Sequence, residues 1–191
     1  MFHPDGTLPE ESHAAHSWRM ELSKCALLVV DVQERLVAVM QDKDVLIRKV
    51  VQAVSGCAAL DVPIYYSEQY PKGLGPTLSA LKAAAPGVLT REKLRFSAFD
   101  LVGEISQPFV LVCGIEAHVC VRQTVYDIRE KGKTPVLLAD ATGARELFAR
   151  ETALREMGGD GIVLATVESV LFELIGGADH PKFKQISGIV K

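Results

Sequence analysis

The stretch FVLVCGIEAHVCVRQTVYDIREKG, Phe109 to Gly132, sets a buried strand directly before an amphipathic helix. Phe109 to Gly114 is apolar without alternation, the pattern of a strand covered on both faces. From Val121 onward apolar residues recur at helical spacing (Val121, Val125, Ile128), and the pattern closes on Gly132. Cys120 therefore falls near a helix N-terminus, just after a strand. Unpaired N–H groups at a helix start gather partial positive charge, and such a field favours thiolate, the nucleophilic form of cysteine. In an open α/β sheet, ligands bind beyond the carboxyl ends of the strands. A cysteine is more commonly a small buried hydrophobe; its position singles this one out.

The same alternation extends in both directions. Apolar runs at Ala26–Val30, Pro63–Tyr66, Gly87–Thr90, Phe109–Gly114, Thr134–Ala139 and Gly161–Leu164 read as six strands. Helical patterns at Val45–Leu60, Thr77–Ala85, the segment after Cys120, Arg145–Met157 and Val167–Ile175 separate or follow them. Continuous apolar strands alternating with helices imply right-handed βαβ crossovers. The fold class expected is α/β, a doubly wound, Rossmann-like three-layer sandwich around a central six-stranded parallel sheet. Residues 1–20, polar and carrying Pro4, Gly6 and Pro9, read as an extended N-terminal arm; residues 21–191 read as one domain. No GxGxxG follows the first strand and no GxxxxGK[ST] occurs, so dinucleotide and P-loop sites lose support.

A formal net charge of −3 gives no reason to expect nucleic acid or an anionic membrane as partner. No apolar run reaches membrane-span length, and the N-terminus lacks the basic start and apolar stretch of a signal peptide. Four cysteines in 191 residues make no small disulfide scaffold, and a reducing cytoplasm is the default expectation.

Polar residues gather at the expected strand ends: Asp31 and Gln33 after the first, Ser67, Glu68 and Gln69 after the second, Arg91, Glu92 and Lys93 after the third, Cys120 after the fourth, and Asp140 after the fifth. Taken singly, most are ordinary solvated loop residues. Asp31 stands apart because it follows five apolar residues without a break, which makes it either a structural hydrogen-bonder or a site residue.

The segments LLVVDVQERL (27–36), SEQYPKGLGPT (67–77), REKLRFSAF (91–99), GIEAHVCVRQTVYDI (114–128), LLADAT (137–142) and the late HPKFKQI resemble, in order and spacing, the isochorismatase-like cysteine hydrolases. The likeness runs from about Lys24 to the C-terminus and is greatest to the isochorismatase-domain-containing subgroup. It implies an Asp–Lys–Cys triad at Asp31, Lys93 and Cys120. Asp31 would accept the thiol proton and return it to the leaving group. Lys93 would orient Asp31 and favour thiolate by charge, and Cys120 would attack a carbonyl carbon to form a covalent acyl intermediate. It also implies an oxyanion hole from the backbone N–H groups of Glu116 and Cys120, a cis peptide at Ile115–Glu116, and a homo-oligomer.

Nicotinamidases of that family bind a metal through an Asp-x-His pattern and a further histidine. Here the region reads Ser67, Glu68, Gln69, and no histidine occurs between His16 and His118, so neither a metal nor another cofactor is expected. Cys113, His118 and Cys120 match no common zinc spacing, and His3, His13 and His16 read as solvated. Candidate substrate contacts are Gln33 and Gln69, as rim amides, with Phe96 and His118; His118 faces either the site or a neighbouring subunit. Phe99 reads as core, and so do Cys25 and Cys57. The function expected is hydrolysis of an amide-like C–N bond in a small molecule. The alternative is a catalytically idle scaffold that binds a small molecule or a protein through the same pocket.

Overall fold

The computed structural model describes residues 19–191. The arm expected over residues 1–20, with His3, His13 and His16, lies largely outside them. Six strands form one all-parallel sheet: β1 (Cys25–Val30), β2 (Ile64–Gln69), β3 (Thr90–Lys93), β4 (Phe109–Ile115), β5 (Thr134–Gly143) and β6 (Val163–Ala165). Their order is β3-β2-β1-β4-β5-β6. The direction of winding reverses between β1 and β4, and a doubly wound sheet opens its crevice at that point.

The helices are α1 (Glu34–Val37), α2 (Lys43–Ala59), α3 (Pro71–Leu74), α4 (Ser79–Ala84), α5 (Phe99–Glu104), α6 (Arg122–Glu130), α7 (Leu147–Gly159), α8 (Val167–Ile175) and α9 (Phe183–Val190). Every residue of β1 is buried, and the side chains divide by parity. Leu27 and Val29, with Leu111 and Cys113 of β4, pack against Val50, Val54 and Cys57 of α2 and Leu171 of α8. Leu28 and Val30, with Val110 and Val112, pack against Val125 and Ile128 of α6 and Met157 of α7. Each fully buried Leu, Val or Ile contributes about 1.5–3 kcal/mol, so the two central strands anchor both layers. Among the described residues no helix is long and apolar enough to cross a membrane.

Departures from the sequence reading fall at the periphery. The third strand is Thr90–Lys93, not Gly87–Thr90; it pairs Tyr66 with Thr90 through Gln69 with Lys93. As an edge strand it has little apolar surface to bury, so hydrophobicity does not mark it. β2 includes Ser67–Gln69, and β5 runs on to Gly143, so Asp140 lies within a strand. Its carboxylate accepts the Val167 N–H at the head of α8 and lies 3.4 Å from Lys49 Nζ, which makes it a brace. The short α1, α3 and α5 and the late α9 went unrecognised because each is too brief for a clear helical period. Phe99 heads α5 half-buried, with the Arg95 guanidinium 4.9 Å and Lys131 Nζ 4.4 Å from its ring, so it is a cation–π platform and not a core residue. Cys25 and Cys57 are buried free thiols, as expected.

Gly114 lets the central strands meet. It pairs with Val30 at φ 123°, and a Cβ there would lie 2.0 Å from the Val30 carbonyl oxygen. Gly114→Ala should cost about 3 kcal/mol or more through backbone clash and strain. The midpoint of urea unfolding reads this cost; an unchanged midpoint would refute the close approach.

Candidate active site

Three adjacent strands deliver one row of polar groups at their carboxyl ends. Asp31 follows β1 directly, with φ 53°, and is fully buried; aspartate tolerates this left-handed conformation better than most residues. Its Oδ1 accepts from Ser67 Oγ of β2 at 2.7 Å, and its Oδ2 accepts from Lys93 Nζ of β3 at 2.6 Å. Lys93 also donates to Gln69 Oε1 (2.8 Å) and to the carbonyls of Phe96 (2.7 Å) and Arg95 (3.3 Å). The loop after β3 thus turns its carbonyls inward around one ammonium group. Its side chains are forced outward, and Leu94 and Phe96 stand 78% and 54% exposed.

Across the switch point, β4 leads to Cys120. The Ile115–Glu116 peptide is cis. A π-helical turn, Ala117–Val121, then precedes α6, and the Glu116 carbonyl accepts from the N–H groups of Val119 (3.0 Å) and Val121 (3.2 Å). Cys120 lies in this turn, which runs on directly into α6. Its thiol is pushed up to about 12, first by burial and then by the Asp31 carboxylate. Lys93 opposes that rise, while a hydrogen bond to Asp31 and the charge of Glu116 add to it. The resting group at neutral pH is therefore a neutral thiol beside a carboxylate. The direction of this shift runs against the thiolate expected from the sequence, and its first cause is burial.

The family follows from the match of the isochorismatase domain to residues 25–169. The chain belongs to the isochorismatase family. It is 33% identical over 180 residues to isochorismatase domain-containing protein 2 of Danio rerio, covering 90% of this chain and 89% of the relative. It is 34% identical to isochorismatase domain-containing protein 1 of the same organism, covering 84% of this chain and 59% of that longer protein. A solved structure called the MAR1 ribonuclease of Caenorhabditis elegans superposes with a TM-score of 0.85 at 34% identity, covering 90% of this chain and 92% of that one. The sheet and its flanking helices are thus the isochorismatase-like α/β fold. Family membership carries hydrolase activity in general terms.

The remaining candidate residues of this isochorismatase-family site fall in different places. Gln33 is fully buried; its Nε2 donates to the carbonyls of Gln69 (3.0 Å) and Gly75 (2.6 Å), and its Oε1 accepts the Gln69 N–H (2.7 Å). Gln69 accepts from Lys93 and donates Nε2 to the Leu94 carbonyl at 2.9 Å. Both amides, expected to greet a substrate, are engaged by the protein as braces. Phe96 meets Lys93 through its carbonyl and leaves its ring to solvent. His118 lines a cavity of about 390 Å³ with Phe148 and Thr152 of α7. A cleft of about 540 Å³ adjoins Lys93, walled by Tyr70, Lys72, Glu92, Leu94, Arg95 and Asp100. Cys120 is not among its walls and is 6% exposed.

Sequence reasoning missed the fastening between the two halves of the site. Thr124, four residues after Cys120, donates Oγ1 to the Cys120 carbonyl (2.7 Å) and accepts the Ala98 N–H (3.0 Å). One turn on, Asp127 accepts a short hydrogen bond from Ser97. Lys131 follows over Phe99. This stripe of α6 holds the loop that encloses Lys93, and only the i+4 position of Thr124 hinted at it.

Iodoacetamide alkylation of Cys120 should have its pH midpoint well above the ordinary thiol value of about 8.5. A raised pKa keeps the proton on sulfur through neutral pH, so the rate climbs as pH rises toward about 12. Lys93→Met should move the midpoint up by removing the charge that opposes the rise, and Asp31→Asn should move it down. A midpoint near 8.5 that neither change moves would refute the electrostatics of this site.

Proposed function

We propose that the chain is a metal-independent cysteine hydrolase that cleaves an amide-like C–N bond in a small molecule, with Asp31, Lys93 and Cys120 as its triad. The observation that carries this reading is the enclosure of Asp31: the fully buried carboxylate holds Lys93 at 2.6 Å, and its charge is near enough to Cys120 to raise the thiol. As Sγ attacks the substrate carbonyl carbon, its proton passes to Asp31. The oxyanion forms against the N–H groups of Glu116 and Cys120. The C–N bond then breaks, Asp31 returns the proton to the departing amine, and a thioester stays on Cys120. Water attacks the thioester as Asp31 takes its proton; the acid leaves and the thiol is restored. A neutral resting thiol suits this order, since the proton that Asp31 must supply to the leaving group comes from Cys120 itself.

One observation favours the idle-scaffold reading: Cys120 is only 6% exposed and lies outside the walls of the cleft beside Lys93. The Caenorhabditis elegans neighbour is named a ribonuclease. For this chain, the net charge of −3 and a cleft whose cations are interspersed with Glu92 and Asp100 offer no track for a phosphate backbone.

Incubation with a panel of small primary amides, followed by acid quench and mass spectrometry, should trap an acyl adduct on Cys120. Cys120→Ser should abolish turnover, and Asp31→Asn should lower kcat by about 10²–10⁴-fold. Turnover that survives Cys120→Ser, or no adduct with any amide, would favour the scaffold. Chelators should leave turnover unchanged; loss that zinc restores would sink the metal-independent mechanism.

A further inference from the structure

We infer that the site selects uncharged acyl substrates and rejects those that carry a carboxylate near the reacting carbonyl. This rests on the reading of Cys120 as nucleophile and adds the substrate class. The buried cation of the site has no free capacity for an anion. Lys93 Nζ is a three-proton donor surrounded by four oxygens, those of Asp31, Gln69, Arg95 and Phe96. Its side chain is 9% exposed. Of the neighbouring amides, Gln33 spends both Nε2 protons on backbone carbonyls and Gln69 spends one of its two on Leu94, so one neutral N–H is all they offer. The two carboxylates that act on the thiol, Asp31 and Glu116, are 0% and 11% exposed as side chains. Glu116 is paired with Arg145, whose side chain is 60% exposed, so its countercharge lies toward solvent and is screened.

The rim is consistent with this. Lys72 and Arg95 are matched by Glu92 and Asp100, all four exposed, and Lys93, which also lines the cleft, is neutralised by Asp31, so the cleft has no net charge to draw in an anion. Apolar surface is what it does present: Tyr70 and Leu94 line the cleft at 52% and 78% exposure. The tail of a neutral amide would find apolar surface here, beside Lys93. A carboxylate would approach buried negative charge in a low-dielectric site, where like charges repel more strongly than in water.

The test compares iodoacetamide with iodoacetate, which differ in charge at nearly constant size. In both, the Cys120 sulfur–carbon bond forms, iodide leaves, and the thiol proton passes to Asp31 or solvent. Rates at Cys120, assigned by peptide mapping, are divided by the rates for 2-mercaptoethanol at the same pH. The normalised preference for iodoacetamide should be about tenfold or greater, the effect of one modest like-charge contact. Equal normalised rates, or faster iodoacetate, would overturn the inference while leaving the nucleophile in place. Failure of both reagents at Cys120 in the folded protein would overturn the nucleophile reading and this inference with it. A second measurement uses turnover: propanamide should be hydrolysed in preference to malonamate, which has the same chain length and a carboxylate next to the amide, and the reverse order would refute the selection.

Discussion

The ion pair between Lys93 and Asp31 is the constraint around which the site is arranged. Both charges are removed from water, and desolvating them costs several kcal/mol each unless every remaining lone pair and proton finds a partner. The structure meets that condition in full. Ser67 takes the second carboxylate oxygen, and Gln69 with two loop carbonyls takes the rest of the ammonium. From these demands follow the inward-facing carbonyls of the loop after β3, the outward display of Leu94 and Phe96, and the bracing by Gln33. The exposed apolar rim of the cleft is thus a by-product of satisfying one buried cation.

The sheet topology makes this economical. Lys93, Gln69 and Asp31 come from three neighbouring strands in register, so the ladder spaces them before any side chain is placed. Cys120 arrives from β4, beyond the reversal in winding, and its own helix is fastened to the Lys93 loop by Thr124 and Asp127. Cys120 and Lys93 are therefore linked across the crevice through α6.

Much of this was legible in the sequence where burial is two-sided. CALLVV and FVLVCGI are apolar throughout because helices cover both faces, and that made the parallel sheet and the positions of Asp31 and Cys120 readable. The order and spacing of the family segments led to Lys93, although its strand was misplaced by three residues. Hidden were the features that depend on which atoms meet. Gln33 and Gln69 are polar and near the site, but composition cannot say that their amides face the protein. Nor does periodicity separate a π turn from the first turn of an α-helix, and it says nothing of the burial that raises the Cys120 thiol. Phe99 looked like core because its two cationic neighbours are distant in the chain or flexible.

β3 is the outermost strand of the sheet on its side, and its sequence is Thr-Arg-Glu-Lys. An open strand edge is a template for pairing with another molecule, and proteins blunt such edges with charge and brevity. Four residues, two of them exposed and oppositely charged, do both. The polarity that concealed this strand from hydrophobic patterning is thus also its protection against intermolecular β-pairing. The same short strand ends on the lysine of the site, so solubility and the placement of a buried charge are secured by one tetrapeptide.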